Sequence, residues 1–359
     1  MPGVTAALLG LTHPHSPGHL RTFQVLTEID RILLWDADAT AVDAQRSNPG
    51  NKVALVTTNL DTVLADPALL FVIAAVRNDL GPALFCQVLE AGKALLAEKP
   101  LGRTAADTQH VIDVAQRTGQ KLGVCYQNRY GPWVQDARRF VQQGLIGDLI
   151  SVEMRLITTQ VKFRNPNSWL FSHQYAGGGM LSWLGCHSID LMRYITGESI
   201  VAVSAEVATR SGETIDVEDV ASLALRFHSG ALASLHVGYV LALSGSGYFN
   251  KSGYDTYTSI NGRLGRIHWS SNTLAPASIA VETTHPTWAS APQRTFHYTF
   301  SESAAYAGAY GEQFVRDFIR AAQGEDIALP TTGDDALHVA RLVDAAYESS
   351  RLGRRVELP

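Results

Sequence analysis

The run Leu69 to Val76 is almost wholly apolar. A short segment of that composition reads as a strand buried on both faces, and only a sheet covered by helices on each side buries a strand that way. The neighbouring sequence supplies the helices. Val4 to Leu9 is an apolar run ending at Gly10, Gly18 to Leu26 is helical, and Arg31 to Trp35 is a second strand ending at Asp36. Val53 to Val56 is a third strand. Pro82 to Ala91 reads as a helix with proline in its first turn and Gly92 past its end. The strand Ala94 to Ala97, a helix from Thr104 to Arg117 and a strand from Lys121 to Cys125 follow. This alternation predicts an α/β domain built on a doubly wound parallel sheet with right-handed crossovers.

The pattern then changes. The chain has 359 residues, more than one ordinary core organises, so two domains are expected. Trp133 to Gln143 is helical. Ile150 to Thr159, Val201 to Ala208, Ala221 to Phe227 and Ala231 to Tyr239 read as strands without long helices between them, and residues 257–300 as further strands. Such a succession predicts an α+β domain with an open, mostly antiparallel sheet. Ser244 to Gly253 is a glycine- and serine-rich loop, and helices at Tyr310 to Gln323 and Asp334 to Ser350 close the chain. The division is expected at residues 1–124 and 125–359, with the C-terminal helix packing back toward the first domain.

Composition narrows the function. A net charge of -5 gives no basic footprint for nucleic acid. No apolar run approaches the ~20 residues that span a bilayer. The N-terminus lacks a basic stretch followed by a long apolar one, so no secretory signal is expected. The three cysteines, Cys86, Cys125 and Cys186, are too far apart for a disulfide framework or a zinc motif. A reducing cytoplasm is the expected setting. No metal is expected either: His13 and His15 flank a proline with no carboxylate or cysteine close by, which favours a loop or phosphate-contact role.

Three places carry chemistry. Glu98-Lys99-Pro100 follows the strand Ala94 to Ala97, and ligands gather at the carboxyl ends of strands in open α/β sheets. A lysine there, beside a carboxylate, could hold a substrate hydroxyl and move its proton; the alternative is a surface turn stopped by proline. Gly10 follows the first strand, as the first glycine of a dinucleotide fingerprint does, but Thr12 and His15 replace the remaining glycines of G-x-G-x-x-G. Thr12 still offers an N–H and a hydroxyl to a pyrophosphate, and His13 and His15 add donors. Asp36, ending the second strand, can accept hydrogen bonds from both ribose hydroxyls of an adenosine and would repel a 2′-phosphate. No lysine or arginine follows in Ala37-Asp38-Ala39, so if a dinucleotide binds NAD is favoured over NADP; the alternatives are an ordinary strand-to-loop turn at Gly10 and a solvated turn aspartate at Asp36. The third place is Gly177-Gly178-Gly179, which leads into a buried helix running to about Tyr194. On an α-helix Trp183, His187 and Asp190 share one face. His187 could serve as a general acid/base with Asp190 fixing its tautomer; the alternative is a core histidine satisfied by Asp190.

Taken together, these segments resemble the glucose–fructose oxidoreductase / inositol dehydrogenase (Gfo/Idh/MocA) family. Leu89-Glu90-Ala91-Gly92-Lys93 leading to Ala97-Glu98-Lys99-Pro100-Leu101 is similar to the family's most specific stretch. Tyr126-Gln127-Asn128-Arg129-Tyr130, Gly144-Leu145-Ile146-Gly147, Trp169 with the triple glycine, Gly185-x-His187-x-x-Asp190 and Tyr347-Glu348-Ser349 match further segments in order. The resemblance implies a Rossmann domain, then an α/β domain whose open sheet forms a homodimer or homotetramer. It implies NAD(P)-dependent oxidation or reduction of a sugar, polyol or related hydroxyl compound. Lys99 would contact the substrate hydroxyl, Glu98 would support the nicotinamide side, Asn78 would lie near the cofactor, and His187 would be the catalytic histidine. Tyr126, Trp169 and Trp183 would shape the substrate pocket.

The chain also departs from the family pattern. Arg77 and Gly81 stand where proline and histidine flank the asparagine, and Trp183 stands where many catalytic members carry aspartate. Tryptophan stacks on a sugar face but takes no proton. Proton transfer and substrate polarisation therefore fall to Lys99 and His187. The alternatives are an NAD-dependent redox-assisted lyase or glycosidase, and a non-catalytic dinucleotide- or sugar-binding protein.

Overall fold

The computed structural model describes residues 3–242 and 253–358. The loop expected at Ser244–Gly253 lies outside them, apart from Gly253. The expected alternation is present as β1 (Val4–Leu9), α1 (Ser16–Val25), β2 (Ile29–Trp35), α2 (Ala39–Ser47), β3 (Val53–Thr57) and α3 (Leu60–Leu64). It continues through β4 (Leu69–Ala74), α4 (Gly81–Glu90), β5 (Ala94–Ala97), α5 (Ala105–Thr118) and β6 (Leu122–Val124). All six strands pair in parallel, in the order β3-β2-β1-β4-β5-β6. That is the doubly wound order, with its switch point between β1 and β4.

The chain then runs through α6 (Pro132–Gln142), β7 (Leu149–Thr159), α7 (His173–Ala176), a π-helical turn at Leu181–Gly185 and α8 (Cys186–Thr196). Next come β8 (Ile200–Ala208), β9 (Val220–Phe227), β10 (Leu232–Leu241), β11 (Tyr254–Gly262), β12 (Gly265–Ser271), β13 (Ser278–Thr283) and β14 (Gln293–His297). α9 (Gly308–Ala322), α10 (Gly333–Leu352) and β15 (Val356–Glu357) complete the order. Among the described residues the second sheet has nine strands, β14-β13-β12-β11-β7-β10-β9-β8-β15, and its only parallel pair is β7 with β10. Period-two alternation sets its register. Leu223, Leu235 and Met154 lie side by side across β9, β10 and β7, and all three are buried.

Two compact units divide the chain: residues 1–130 with 300–337, and residues 131–299 with 338–359. In the first unit, Ala6 and Leu8, Ile32 and Leu34, Phe71 and Ile73, and Ala94 and Leu96 present alternate positions of four strands to one core. Phe23 of α1 and Phe314 and Phe318 of α9 fill it, with Phe71 edge-on to Phe23 and to Phe318. The intervening strand residues Ala7, Leu33, Val72 and Leu95 are equally buried, so the sheet is covered on both faces as its apolar runs require.

The segment 300–337 is also tied to the carboxyl end of β6. Thr331 Oγ1 bonds both the N–H and the carbonyl of Val124. Arg129 grips the Asp335 carboxylate through both guanidinium nitrogens at 3.1 Å, and the Thr332 N–H adds a third bond at 2.9 Å. Burial pushes the Asp335 carboxyl up, but the Arg129 charge and hydrogen bonds outweigh it and bring the pKa down to about 2. A depressed carboxylate contributes stability above its unfolded value of ~4 and loses it as pH falls through the folded value. The depression corresponds to about 2 kcal/mol at neutral pH. Asp335→Asn is expected to cost at least that much at pH 7 and to flatten the acid-side loss of stability between about pH 4 and 2. Urea unfolding across that range measures both effects.

Candidate active site

The parallel register places five residues in one row. Trp35, Leu9, Ala74, Ala97 and Val124 are successive Cα partners across β2, β1, β4, β5 and β6. The residues immediately after them, Asp36, Gly10, Ala75, Glu98 and Cys125, therefore emerge together at the carboxyl edge of the sheet, where ligands of such sheets bind. Asn78, four residues past β4, and Tyr126, two past β6, are buried in the same unit.

Gly10 is required by its surroundings. Its φ is 93°, and a Cβ there would lie 1.9 Å from the Ala75 carbonyl oxygen. The turn that follows is braced by Asp36. Asp36 Oδ2 accepts the N–H groups of Leu11 at 2.6 Å and Thr12 at 3.1 Å and the Thr12 hydroxyl at 3.3 Å, while Oδ1 accepts the Asp38 N–H at 2.9 Å. The carboxylate expected to meet a ribose thus already holds the loop between β1 and α1, and the unshared lone pair on Oδ1 is its remaining capacity. A strand, a glycine at positive φ, a helix N-terminus and an acidic residue ending β2 are the parts that hold a dinucleotide, so the residues present fit that group.

Glu98 is engaged on both carboxylate oxygens. Its Oε1 meets His15 Nδ1 at 3.0 Å and His19 Nε2 at 2.7 Å, and its Oε2 accepts the Lys99 N–H at 3.0 Å. Burial pushes the Glu98 carboxyl up, but His15 first and then His19 outweigh it and hold it well below the usual range. Burial pushes the His15 and His13 imidazoles down, farther for His13. The cluster is therefore an ionised carboxylate served by ring N–H donors. Tyr306 packs against both His15 and His19 with ring centroids 5.0 Å away. Lys99 is only 1% exposed, so the structure places an ionisable amine directly after a buried anion.

In the second unit the triple glycine is explained by close approach. A Cβ on Gly178 would lie 2.0 Å from the Tyr347 hydroxyl, and one on Gly179 would lie 1.9 Å from the Glu218 carbonyl oxygen. The Glu218 carboxylate accepts the N–H groups of Gly179 and Leu181, each at 2.8 Å, and the Tyr347 hydroxyl at 3.0 Å. Burial pushes the Glu218 carboxyl up against the pull of those N–H donors, and burial together with the Glu218 charge pushes the Tyr347 phenol up. The run expected as one α-helix opens instead as the π-helical turn, and α8 begins only at Cys186. A π turn holds more residues than an α turn, so the α-helical phasing of Trp183 with His187 does not apply. Trp183 is 2% exposed and meets the Trp169 ring edge-on, centroids 5.7 Å apart. His187 (8% exposed) and Asp190 are buried in α8.

Residues 14–126 match the family described as "Oxidoreductase family, NAD-binding Rossmann fold", and residues 134–269 match "GFO/IDH/MocA C-terminal domain". The chain belongs to the GFO/IDH/MocA oxidoreductase family. Inositol 2-dehydrogenase of Rhizobium meliloti (strain 1021) is 27% identical to it over 336 residues, 91% of each chain. Levoglucosan dehydrogenase of Pseudarthrobacter phenanthrenivorans is 29% identical over 202 residues, 50% of this chain and 52% of that one, so this match spans about half of either. A solved structure of levoglucosan dehydrogenase in complex with NADH and L-sorbose has a TM-score of 0.83 with 22% identity, covering 100% of both chains. That likeness is one of fold.

This GFO/IDH/MocA member is therefore an enzyme of the oxidoreductase class with an NAD-binding Rossmann fold. Sequence reasoning singled out Glu98 and Lys99 but not His19, Tyr306 or Glu218. His15 and His19 are four apart at the start of a helix, a spacing that puts two rings on one face and was the available signal. Glu218 and Tyr306 lie outside regular elements and carried none. Tyr347→Phe removes the hydroxyl from Glu218 without adding bulk. It is expected to destabilise the second unit by about 1–3 kcal/mol, the worth of a hydrogen bond to a buried carboxylate, as read by urea unfolding.

Proposed function

We propose that this chain transfers hydride between NAD and a hydroxyl-bearing sugar or polyol. The observation that carries the reading is the Glu98-Lys99 corner at the carboxyl end of β5, in a sheet whose β2 is followed by Asp36 and whose β1 is followed by a positive-φ glycine. The names of the relatives, inositol 2-dehydrogenase and levoglucosan dehydrogenase, support that substrate class.

NAD, when bound, supplies the hydride acceptor or donor. Asp36 would meet the adenosine ribose with its remaining Oδ1 capacity, and its charge disfavours a 2′-phosphate. Gly10, Thr12, His13 and the first turn of α1 would face the pyrophosphate. Asn78 and Glu98 would support the nicotinamide side. Lys99 hydrogen-bonds the reacting oxygen of the substrate and stabilises charge as its proton leaves. His187 carries that proton, taking it in oxidation and returning it in reduction. Trp183, Trp169 and Tyr126 present apolar ring surface to the substrate, and Trp183 takes no part in proton transfer.

The reading is tested with NAD and NADP against a panel of sugars and polyols. Lys99→Ala is expected to lower kcat/KM by about 10²–10⁴-fold, the range of a general acid–base or polarising group, while NAD affinity measured by fluorescence titration stays unchanged. Full turnover in that variant would remove Lys99 from the mechanism. Asp36→Ser is expected to narrow the preference for NAD over NADP, measured as the ratio of kcat/KM for the two cofactors.

A further inference from the structure

His19, Glu98 and Cys125 come from α1, the end of β5 and the end of β6. One ligand atom from each lies within 4.8 Å of the other two, and all three residues are buried. No two are close in sequence, so no spacing motif revealed them. A cavity of about 10 Å³ beside them is lined by His19, Thr22, Cys125, Gln127 and Tyr306 and backed by α9. It has room for one water or one ion and for no organic molecule. A separate observation singles out the same place. Gln127 is 6% exposed, and its Oε1 has no hydrogen-bond partner. A buried amide oxygen without a donor is costly, and this residue lines the cavity.

The geometry points to a binding site for one divalent transition-metal ion, zinc by donor type, held by His19, Glu98, Cys125 and Gln127. One imidazole nitrogen, one sulfur and two oxygens form a set that suits a borderline-soft cation. Binding takes the proton from the Cys125 thiol and releases it to solvent, and the His19 proton shifts from Nε2 to Nδ1 so that Nε2 is free to ligate. The thiolate and the Glu98 carboxylate then balance the two positive charges, and no net charge is buried. Zinc bonds of about 2.0–2.3 Å in a tetrahedron space the ligand atoms about 3.3–3.7 Å apart. His19 Nε2 and Glu98 Oε1, now 2.7 Å apart, would separate by less than about 1 Å to admit the ion. Four protein ligands leave no open position, so the ion is structural and fastens α1, β5 and β6 together one residue before Lys99. The site lies wholly in the first unit and does not depend on the proposed reaction.

Protein purified without a polyhistidine tag is stripped with a chelator and titrated with zinc against a chromophoric competitor; a second sample is loaded with cobalt. The wild type is expected to bind one equivalent and, with cobalt, to show thiolate-to-metal charge-transfer absorption. Cys125→Ser should abolish that absorption, and Cys125→Ser and Gln127→Leu should each weaken zinc at least about tenfold. Cys86→Ser and Cys186→Ser should change nothing. Circular dichroism of each metal-free variant checks folding. If Cys125→Ser fails to fold, the wild-type cobalt spectrum and Gln127→Leu decide. A wild type that binds no stoichiometric ion, or shows no thiolate band, overturns the proposal and leaves the cavity to water. Loss of turnover in Lys99→Ala with metal binding retained bears on the reaction alone.

Discussion

The Glu98 carboxylate is the interaction on which the first unit's site depends. A buried anion is tolerated only when its lone pairs are met. Glu98 meets this condition by reaching across the sheet edge to His15 and His19 at the start of α1 and by accepting the next N–H of its own chain. One side chain thereby sets the position of α1's first turn against the end of β5 and fixes the backbone from which Lys99 projects. Loss of either histidine leaves a buried charge under-served. The cost is felt at the lysine, because the same carboxylate orients its amide.

The second unit uses the same device on different elements. Glu218 takes the N–H groups at the entrance to the π-helical turn, and Tyr347 closes its remaining side. Glycine at 178 and 179 is the steric counterpart, because the backbone passes too close to Tyr347 and Glu218 for any side chain. In each unit a buried carboxylate accepts backbone N–H groups, that of Lys99 at Glu98 and those of Gly179 and Leu181 at Glu218. Asp36 does the same at the loop after β1. Three acidic side chains thus do, through hydrogen bonds, the positioning that loop backbone cannot do alone.

The fold was largely legible because burial on both faces leaves a periodic signature. The apolar runs of β1, β4 and β5 admitted few other placements, and the parallel order followed from the intervening helices. Glu98 and Lys99 were legible for a related reason, since the residue after a buried strand emerges at the sheet edge. The π-helical turn was not legible, and the contacts at its entrance, from Glu218 to the N–H groups of Gly179 and Leu181, join residues about forty positions apart. The gathering of His19, Glu98 and Cys125 was hidden in the same way, and Cys125 read only as one of three widely spaced cysteines.

The sequence by itself determined the two-part plan, the strand–helix alternation, the net negative charge and the identity of the residues leaving the strand ends. These are local or compositional properties, set by side-chain period and solvation. Only the tertiary structure decided what those residues do to one another: that Asp36 braces the loop, that two histidines converge on one carboxylate oxygen, and that Trp183 lies against Trp169. The first two depend on the register between strands and on which helix turn faces which strand end. That register comes from packing the whole core, and no stretch of sequence contains it.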